Sequence, residues 1–311
     1  MITDKYGRYV DDIRVSVTKK CNLKCIYCHH EGQWQNNFNE NDEMTPDEID
    51  KIIKIGTKFG IRRVKLTGGE PLLRRDIFKI IKKLASLQKI EDISLVTNGV
   101  LLKNSVKQLV ESGLNRINVS LDCLDPILYK NITKSNNNSD PNDIIDGIKS
   151  AIAEGLTPLK LNMVILKDLN YNEIEKMIEL SSHLGAILQL IELVPYRERE
   201  GFLKYHVDLS KIEEEIKKRV ISTKIRKLQN RMVYTLENGA IIEFVKPYHN
   251  PKFCANCHRI RLTSDGRLKP CLRTNSNLID ILGPLRAKMD EKELETIFKK
   301  AIMIRKPYYI N

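Results

Sequence analysis

Three cysteines lie close together near the start of the chain. Cys21, Cys25 and Cys28 fall within the segment CNLKCIYC, and the whole chain has seven cysteines. Clustered thiols favour a metal or catalytic site over a disulfide. A disulfide would also use only two of the three thiols. A structural zinc ion prefers four ligands, so His29 or His30 would have to supply the fourth. A four-iron cluster held by three thiolates keeps one iron open for another ligand.

A second group of three cysteines lies near the other end of the chain. Cys254, Cys257 and Cys271 stand in FCANCHRIRLTSDGRLKPCL. CANCH matches the pattern of covalent haem attachment, but that attachment occurs in exported proteins, and MITDKYGRYVDD does not have the pattern of a signal peptide. A zinc site completed by His258 is an alternative, although it again offers three thiolates where four are usual. Cys123 matches no motif, and we expect it to be buried and inert.

Composition restricts the class of protein. The chain of 311 residues is 41% hydrophobic and 30% charged, which is typical of a globular protein, and no apolar run reaches the ~20 residues of a membrane span. We therefore expect a cytoplasmic protein without a membrane partner. The net charge of +12 favours an anionic partner such as a nucleic acid or a phosphate-rich small molecule. The aromatic content of 6%, without an RNA-binding motif, argues against nucleic acid.

Short β-branched segments alternate with amphipathic helical segments from residue 13 to about residue 220. This pattern predicts an α/β fold with a parallel sheet, either an open doubly wound sheet or an incomplete barrel. A smaller region with hairpins around Asn238-Gly239 and Asp265-Gly266 follows, so we predict domains of residues 1–222 and 223–311. The candidate strands span residues 13–17, 62–66, 93–96, 116–121, 159–165 and 187–193.

Polar and glycine-rich segments follow the predicted strands. The first cysteine loop follows strand 1, TGGEP (67–71) follows strand 2, TNG (97–99) follows strand 3, and SLD (120–122) ends strand 4. Ligands bind at the carboxyl ends of parallel strands in both candidate architectures, so these segments predict one site. Gly68 and Gly69 would let the backbone approach a ligand closely, and Glu70 offers a carboxylate to an ammonium group.

The first cysteine motif, with Tyr27 directly before its last cysteine, and GGEP at 68–71 resemble the radical S-adenosylmethionine (SAM) superfamily. The resemblance implies a partial (β/α)6 TIM-like barrel in which Cys21, Cys25 and Cys28 hold a 4Fe-4S cluster. It implies that the open iron binds S-adenosyl-L-methionine, and that the reduced cluster cleaves this cofactor to methionine and a 5′-deoxyadenosyl radical. The cofactor-binding residues that it implies are Tyr27, Gly69, Glu70, Ser120 and Val194.

Both cysteine groups, together with LTGGEPLLRRD, INVSLD and HRIRLTSDG, resemble the GTP 3′,8-cyclase family of molybdenum-cofactor biosynthesis, from about residue 8 to residue 305. The resemblance implies a lyase with a smaller C-terminal α+β domain. There Cys254, Cys257 and Cys271 would hold a second 4Fe-4S cluster that binds the guanine of GTP. The radical would remove hydrogen from C3′ of GTP and yield (8S)-3′,8-cyclo-7,8-dihydroguanosine 5′-triphosphate.

The same resemblance implies the residues that bind GTP and the partners of the enzyme. Arginine suits a triphosphate because its planar guanidinium donates two parallel hydrogen bonds. The implied partners are an electron donor such as a ferredoxin or flavodoxin, the cyclic pyranopterin monophosphate synthase that receives the product, and a second copy in a homodimer. The implied catalytic residues are Arg14, Arg259 and Arg261, and the substrate-binding residues are Arg14, Lys65, Thr97, Lys160, Arg259, Ile260 and Arg261.

The chain departs from the family pattern at several positions. Gln189, Val194 and Lys65 stand where the family has an arginine, a methionine and an arginine, respectively. Most members end in a Gly-Gly tail that reaches into the active site, whereas this sequence ends in RKPYYIN. Either the tail is dispensable in this branch, or Tyr308 to Asn311 supply its contacts.

Overall fold

Strands and helices alternate along most of the chain. The computed structural model describes residues 2–32, 42–135, 140–195 and 199–308. All six predicted strands of the first region form, each within one residue of its predicted bounds, because their β-branched segments are bounded by loop residues. These strands are β1 (Asp12–Ser16), β2 (Arg63–Thr67), β3 (Asp92–Thr97), β4 (Arg116–Ser120), β5 (Lys160–Ile165) and β6 (Ile187–Glu192).

The segment TPDE (45–48) predicts a capping box, and side chains cap the starts of several crossover helices. The Thr45 side chain accepts a hydrogen bond from the Glu48 amide, and the Glu48 side chain accepts one from the Thr45 amide, which forms a capping box. Asp140 caps the later helix that begins at Pro141. The helices up to residue 217 are α1 (Pro46–Lys58), α2 (Ile77–Ala85), α3 (Val106–Glu111), α4 (Pro126–Thr133), α5 (Pro141–Ala153), α6 (Ile174–His183), α7 (Arg199–Tyr205) and α8 (Ser210–Lys217).

The C-terminal region continues the same sheet at both of its edges. β9 runs parallel to β6 and β10 runs parallel to β1, so eight neighbouring strands are parallel, in the order β10-β1-β2-β3-β4-β5-β6-β9. Antiparallel strands flank them, and both predicted hairpins form, as β8-β9 and β10-β11. The remaining elements are β7 (Val220–Arg226), β8 (Arg231–Leu236), β9 (Ile241–Val245), α9 (Pro251–Ala255), β10 (Arg259–Leu262), β11 (Arg267–Lys269), β12 (Ile279–Asp280), α10 (Leu282–Arg286) and α11 (Glu291–Met303).

The two faces of the parallel strands differ in polarity. On β1 the side chains of Ile13 and Val15 are fully buried against the helices, whereas Arg14 between them faces a cavity. The same alternation on β5 buries Leu161 and Met163 and turns Lys160 and Asn162 toward the cavity. An open sheet covered by helices on both faces would be apolar on both. The polar inner face therefore fits a partial (β/α)6 barrel around a cavity, with a C-terminal region attached to it.

No helix in the described ranges is long and apolar enough to cross a membrane. The predicted division at residue 222 stays a prediction, since strands from both predicted regions hydrogen-bond to each other in one sheet.

Arg305, just after α11, joins both ends of the chain to the second cysteine loop. Its guanidinium donates hydrogen bonds to the backbone carbonyls of Arg8 (3.3 Å), Tyr9 (3.2 Å) and Cys257, and lies 3.4 Å from the Asp4 carboxylate. Only 1% of the Arg305 side chain is exposed. The Arg8 carbonyl is buried and the other two are partly buried, so all three would lose a protein donor if the guanidinium were removed.

We expect Arg305→Met to lower the free energy of unfolding by about 3 kcal/mol, since it breaks a buried network and leaves its partners unsatisfied. Denaturant unfolding of the purified variant measures this loss. Arg286→Met is the matched control, because Arg286 pairs with Glu48 while 42% exposed, and its loss should cost less than about 1 kcal/mol. Equal, small losses in both variants would contradict the role given to Arg305.

Candidate functional site

Both cysteine groups open into one cavity inside the partial barrel. The cavity has a volume of ≈ 380 Å³, and residues from β1 to β6, β9 and β10 line it, together with all six motif cysteines. The interior of an ordinary TIM barrel is filled by branched apolar side chains, whereas charged and amide side chains line this one. The arrangement is therefore that of a binding site and not of a packed core.

The first cysteine loop follows β1 and is fixed by its backbone. The amides of Lys24 and Ile26 donate to the carbonyls of Thr133 (2.9 Å) and Ile132 (3.0 Å) at the end of α4. Backbone amides also reach two of the sulfurs, from Leu23 to Cys21 Sγ (3.5 Å) and from His30 to Cys28 Sγ (3.4 Å). Hydrogen bonds of this kind stabilise cluster-bound thiolates and tune the reduction potential of an iron–sulfur cluster.

All the cysteine thiols of the chain are free. Burial raises the pKa of the Cys28 thiol to about 11, and it raises the pKa of Cys25 further. A cluster bound here would therefore displace thiol protons, as metal binding to cysteine does in general. No three His, Cys, Asp or Glu side chains of the described residues converge in the manner of a single-ion site. All six motif cysteines line the cavity wall, three from each loop, and three thiolates are the donor set that a four-iron cluster with one open iron would use.

The GGEP segment packs against the start of the first cysteine loop. A Cβ atom on Gly69 would lie 2.0 Å from the Lys20 carbonyl oxygen, and one on Gly68 would lie 2.4 Å from the Thr18 carbonyl oxygen. Gly68 also has a φ of +151°. The sequence predicts that these glycines allow a ligand to approach, but in the structure the close approach is between two protein loops. The glycines therefore fix the first cysteine loop to the end of β2.

Glu70 is fully buried and joins the GGEP segment to the end of β3. Its carboxylate accepts hydrogen bonds from the Leu72 amide (2.9 Å), the Thr97 hydroxyl (2.8 Å) and the Asn98 amide (2.7 Å). Burial raises the pKa of Glu70 to about 7 in spite of these donors. Carboxylate oxygens have about four acceptor sites in total, but Glu70 is fully buried and is not among the residues that line the cavity. Gly69 and Thr97 line the cavity beside it.

Tyr27 connects the first cysteine loop to the ends of β4 and β5. Its hydroxyl donates to the Asp122 carboxylate at 2.6 Å, and the same carboxylate accepts from the Val164 amide at 2.9 Å. Burial raises the pKa of Asp122 to about 6. Ser120 and Val194 line the cavity on the same side of the sheet. Sequence reasoning assigned no role to Asp122, although its place in SLD at a strand end could have indicated one.

The three arginines predicted to be catalytic lie on adjacent strands, each held by a carboxylate. Arg14 lies 3.2 Å from Glu31, and Arg261 binds the other oxygen of the same carboxylate. Arg259 pairs with Asp12 at 2.6 Å. Burial alone would raise the pKa of Glu31, but the two arginines lower it to about 2, so this carboxylate remains charged.

Register explains this grouping, because Arg14 is paired with Arg261 and Asp12 with Arg259 across β1 and β10. Neither Asp12 nor Glu31 is evident from sequence motifs. Asp12 is two residues before Arg14, so both face the same side of β1, and this spacing is the only signal that could have identified it.

The predicted lysines also line the cavity. Lys65 donates to the Asn118 side chain at 2.9 Å, and Asn118 donates to Gln189 at 3.2 Å, so Gln189 lies within a polar network. Burial, with the nearby Arg14, lowers the pKa of Lys65 well below its usual value. Lys160 pairs with Glu243, yet burial lowers its pKa to about 8.

Not all predicted residues enter the site. The side chain of Ile260 is fully buried in the hydrophobic core on the outer face of β10, away from the cavity-lining residues. Tyr308 is described and lines the cavity, whereas Tyr309, Ile310 and Asn311 lie outside the described residues.

We expect the free energy of unfolding of the cluster-free protein to fall by about 3 kcal/mol between pH 4.5 and pH 7.5 because of Glu70. The folded pKa of about 7 exceeds the ordinary 4.5, so this stability is complete below pH 4.5 and is lost as pH rises through 7. Glu70→Gln should remove this slope. Thr97→Val is the control, because it removes one hydrogen bond but leaves the carboxyl in place, and it should retain the slope. Identical pH profiles for wild type and Glu70→Gln would refute the prediction.

Known families match both parts of the chain. The Radical SAM superfamily model matches residues 15–181, and the Molybdenum Cofactor Synthesis C model matches residues 186–310. The probable GTP 3′,8-cyclase of Methanocaldococcus jannaschii is 47% identical over 308 residues, which cover 98% of each chain. That of Thermococcus kodakarensis is 42% identical over 315 residues, or 99% of this chain and all of the relative.

Solved structures show the same fold. Streptococcus suis SuiB bound to S-adenosylmethionine aligns with a TM-score of 0.67 at 18% identity, over 93% of this chain and 68% of SuiB. This likeness supports the architecture alone, while the sequence relatives define the family and its cofactor class, S-adenosylmethionine with a 4Fe-4S cluster. The chain thus belongs to the GTP 3′,8-cyclase family of radical SAM enzymes.

Proposed function

We propose that the chain converts GTP to (8S)-3′,8-cyclo-7,8-dihydroguanosine 5′-triphosphate for molybdenum-cofactor biosynthesis. The observation that carries the proposal is that two three-cysteine loops meet in one cavity whose wall is rich in arginine and lysine. A triphosphate is the kind of ligand that such a wall attracts. The two relatives named above are both called probable GTP 3′,8-cyclases, and each aligns with nearly the full length of this chain.

Cys21, Cys25 and Cys28 would hold a first 4Fe-4S cluster, with S-adenosylmethionine on its open iron. The cluster and this cofactor supply a 5′-deoxyadenosyl radical when bound. Tyr27, through Asp122, and Glu70, through Thr97 and Asn98, fix the loops around this position. We assign cofactor contacts to Tyr27, Gly69, Glu70, Ser120 and Val194.

Cys254, Cys257 and Cys271 would hold a second 4Fe-4S cluster. Its thiols line the same cavity as the first, and a side-chain amide, Gln229 Nε2, lies 3.8 Å from Cys257 Sγ. Three thiols again leave one iron open, and we propose that the guanine base of GTP binds there. The ribose would then lie between the two cysteine loops. This placement explains why both loops face one cavity.

The cations of the wall would hold and orient the triphosphate. Arg14 and Arg261 share one carboxylate, Glu31, and Lys65 has an amide oxygen as its partner, so these three carry more positive charge than their partners balance. A guanidinium stays protonated at any physiological pH, so it serves as a fixed charge. We assign GTP contacts to Arg14, Lys65, Thr97, Lys160, Arg259, Ile260 and Arg261, with Ile260 acting through its backbone.

The substrate reaction that fits this arrangement starts at the ribose. A hydrogen atom leaves C3′, C3′ bonds to C8 of guanine, and one electron and one proton complete the dihydro ring. The protein would hold C3′ and C8 of GTP near each other. Orientation of the reacting atoms supplies a large share of the rate enhancement by enzymes. Arg14, Arg259 and Arg261 are proposed as catalytic because fixed charges beside the ribose and base restrict their motion.

The proposal extends to the partners. We propose a ferredoxin or flavodoxin as electron donor, cyclic pyranopterin monophosphate synthase as recipient of the product, a homodimer as the assembly, and the cytoplasm as the location. The division into residues 1–222, a radical SAM barrel, and 223–311, an auxiliary-cluster and substrate-binding domain, is part of the same proposal.

The test is anaerobic turnover of the iron-reconstituted enzyme with dithionite, S-adenosylmethionine and GTP that carries deuterium at C3′. We expect 5′-deoxyadenosine to form much faster with GTP than without it, and to contain the deuterium. Iron and sulfide analysis should give about eight of each per chain for two four-iron clusters. Formation of 5′-deoxyadenosine that does not depend on GTP, or zinc in place of iron and sulfide, would sink the proposal.

Arg261→Ala should lower cyclisation at least about 100-fold, because one preorganised charged donor is lost, while iron and sulfide content stays unchanged. Glu31 keeps Arg14 as its partner in this variant, so the fold should persist. Arg267→Ala on β11 is the control, since Arg267 is 38% exposed and pairs with Asp265. Loss of iron from Arg261→Ala would instead indicate a structural role. Arg259→Ala would not separate catalysis from stability, because it leaves the buried Asp12 carboxylate without its ion-pair partner.

A further inference from the structure

A second group of cations surrounds Glu243 on β9, the strand at the other end of the parallel strand order from β10. Arg226 and Arg231 approach one oxygen of this carboxylate at 2.9 and 3.0 Å, and Lys160 binds the other oxygen. The Glu243 side chain is only 1% exposed, and those of Lys160 and Arg231 are each 9% exposed. Three cations therefore share one carboxylate in a largely buried position.

The register of the sheet makes this charge imbalance unavoidable. Arg226 at the end of β7 is paired directly with Arg231 at the start of β8. Like charges directly opposite each other on neighbouring strands are destabilising, and buried charge is costly unless it is balanced. Glu243 balances one of the three positive charges. The surplus favours an anion that binds from the cavity, which all three cations line.

Unused donors indicate the same kind of ligand. Arg231 Nε is buried and has no hydrogen-bond partner among the described residues. Arg226 keeps a third of its side chain exposed at the cavity. Buried donors in native proteins normally have partners, so these guanidinium groups have capacity for acceptor oxygens of a ligand.

The turn between β7 and β8 fixes these arginines relative to the second cysteine loop. The Gln229 amide donates to the Asn256 carbonyl at 2.8 Å, and Gln229 itself has a φ of 63°, an unfavourable conformation that the surrounding structure must hold. Its side chain lies between Arg231, with which it hydrogen-bonds, and Cys257. The hairpin therefore holds Arg231 beside the second cysteine loop.

We propose that Arg226 and Arg231, together with Lys160, form a subsite for the terminal phosphate of the nucleotide and select the triphosphate over shorter nucleotides. This inference rests on the proposed function. A terminal phosphate carries more negative charge than an internal one, about −1.5 to −2 at neutral pH. It therefore suits a group in which three cations, Lys160, Arg226 and Arg231, share the single carboxylate of Glu243.

The test is calorimetric titration of the cluster-loaded enzyme, under anaerobic conditions, with GTP, GDP and GMP in parallel. We expect Arg226→Met and Arg231→Met each to weaken GTP binding about 10- to 100-fold, as for loss of a charge-assisted hydrogen bond, and to change GMP binding less than about twofold. Arg226→Lys should recover part of the loss. Arg219→Met is the control, because Arg219 pairs with Glu175 on the surface just before β7, and it should leave all three affinities unchanged.

Two outcomes would overturn the subsite. One is an equal loss of affinity for GTP, GDP and GMP, and the other is GTP binding in both variants that matches the Arg219→Met control. Since Arg226 is a third exposed, its variant should fold even if Arg231→Met does not, and thermal unfolding of each protein verifies this. Failure of the wild-type enzyme to bind GTP would instead refute the proposed function itself.

Discussion

Positive charge exceeds negative charge inside the partial barrel, and the rest of the structure accommodates this imbalance. Among the described residues, eight cations on the strands face four carboxylates that pair with them, and a fifth carboxylate, Glu192, lines the cavity and pairs with His206. The inner side of the sheet therefore contributes less apolar burial than the outer side. The outer side must supply it, which is why the strands alternate so regularly and the helices cover only that side. The cations are Arg14, Lys65, Arg116, Lys160, Arg226, Arg231, Arg259 and Arg261, and the carboxylates that pair with them are Asp12, Glu31, Asp92 and Glu243.

Two other buried carboxylates hold the first cysteine loop in place without compensating any cation. Glu70 accepts three hydrogen bonds that join GGEP to the end of β3, and Asp122 accepts two that join Tyr27 to β5. Both carboxyl groups have raised pKa values because they are buried. The position of the cysteines is thus set by loops that are already fixed to three strands, so that iron binding need not organise them.

Local signals in the sequence predict much of this fold. The strands, the capping box at Thr45 and the turns at Asn238-Gly239 and Asp265-Gly266 depend on neighbouring residues, and all of them form as predicted. Cys123 is fully buried, also as expected. The sequence could also have distinguished a barrel from an open sheet. Charged residues at alternate strand positions, such as Arg14 and Lys160, do not suit a strand that is covered by helices on both faces.

Other features depend on contacts between distant residues. β9 pairs with β6 across more than 50 residues of sequence, and β10 pairs with β1 across more than 240. Local sequence patterns do not predict pairings at such separations. Glu243 and Arg231 looked like ordinary hairpin residues, and only the register of β7, β8 and β9 brings them to the cavity. Glu31 lies outside any regular strand, and its role follows from the position of its loop. The family resemblance supplied the candidate site residues that local physics could not.

The surroundings of Lys160 disfavour its positive charge and lower its pKa to about 8. Burial and the repulsion of Arg226 and Arg231 together outweigh the attraction of Glu243. An anion bound beside Lys160 would oppose both effects, so it would raise that pKa and stabilise the folded chain by linkage. The strands hold these charges in fixed positions, so they are in place when a ligand arrives. Such preorganised charge acts on the substrate without further rearrangement, which is the physical reason for keeping the barrel interior polar instead of filling it.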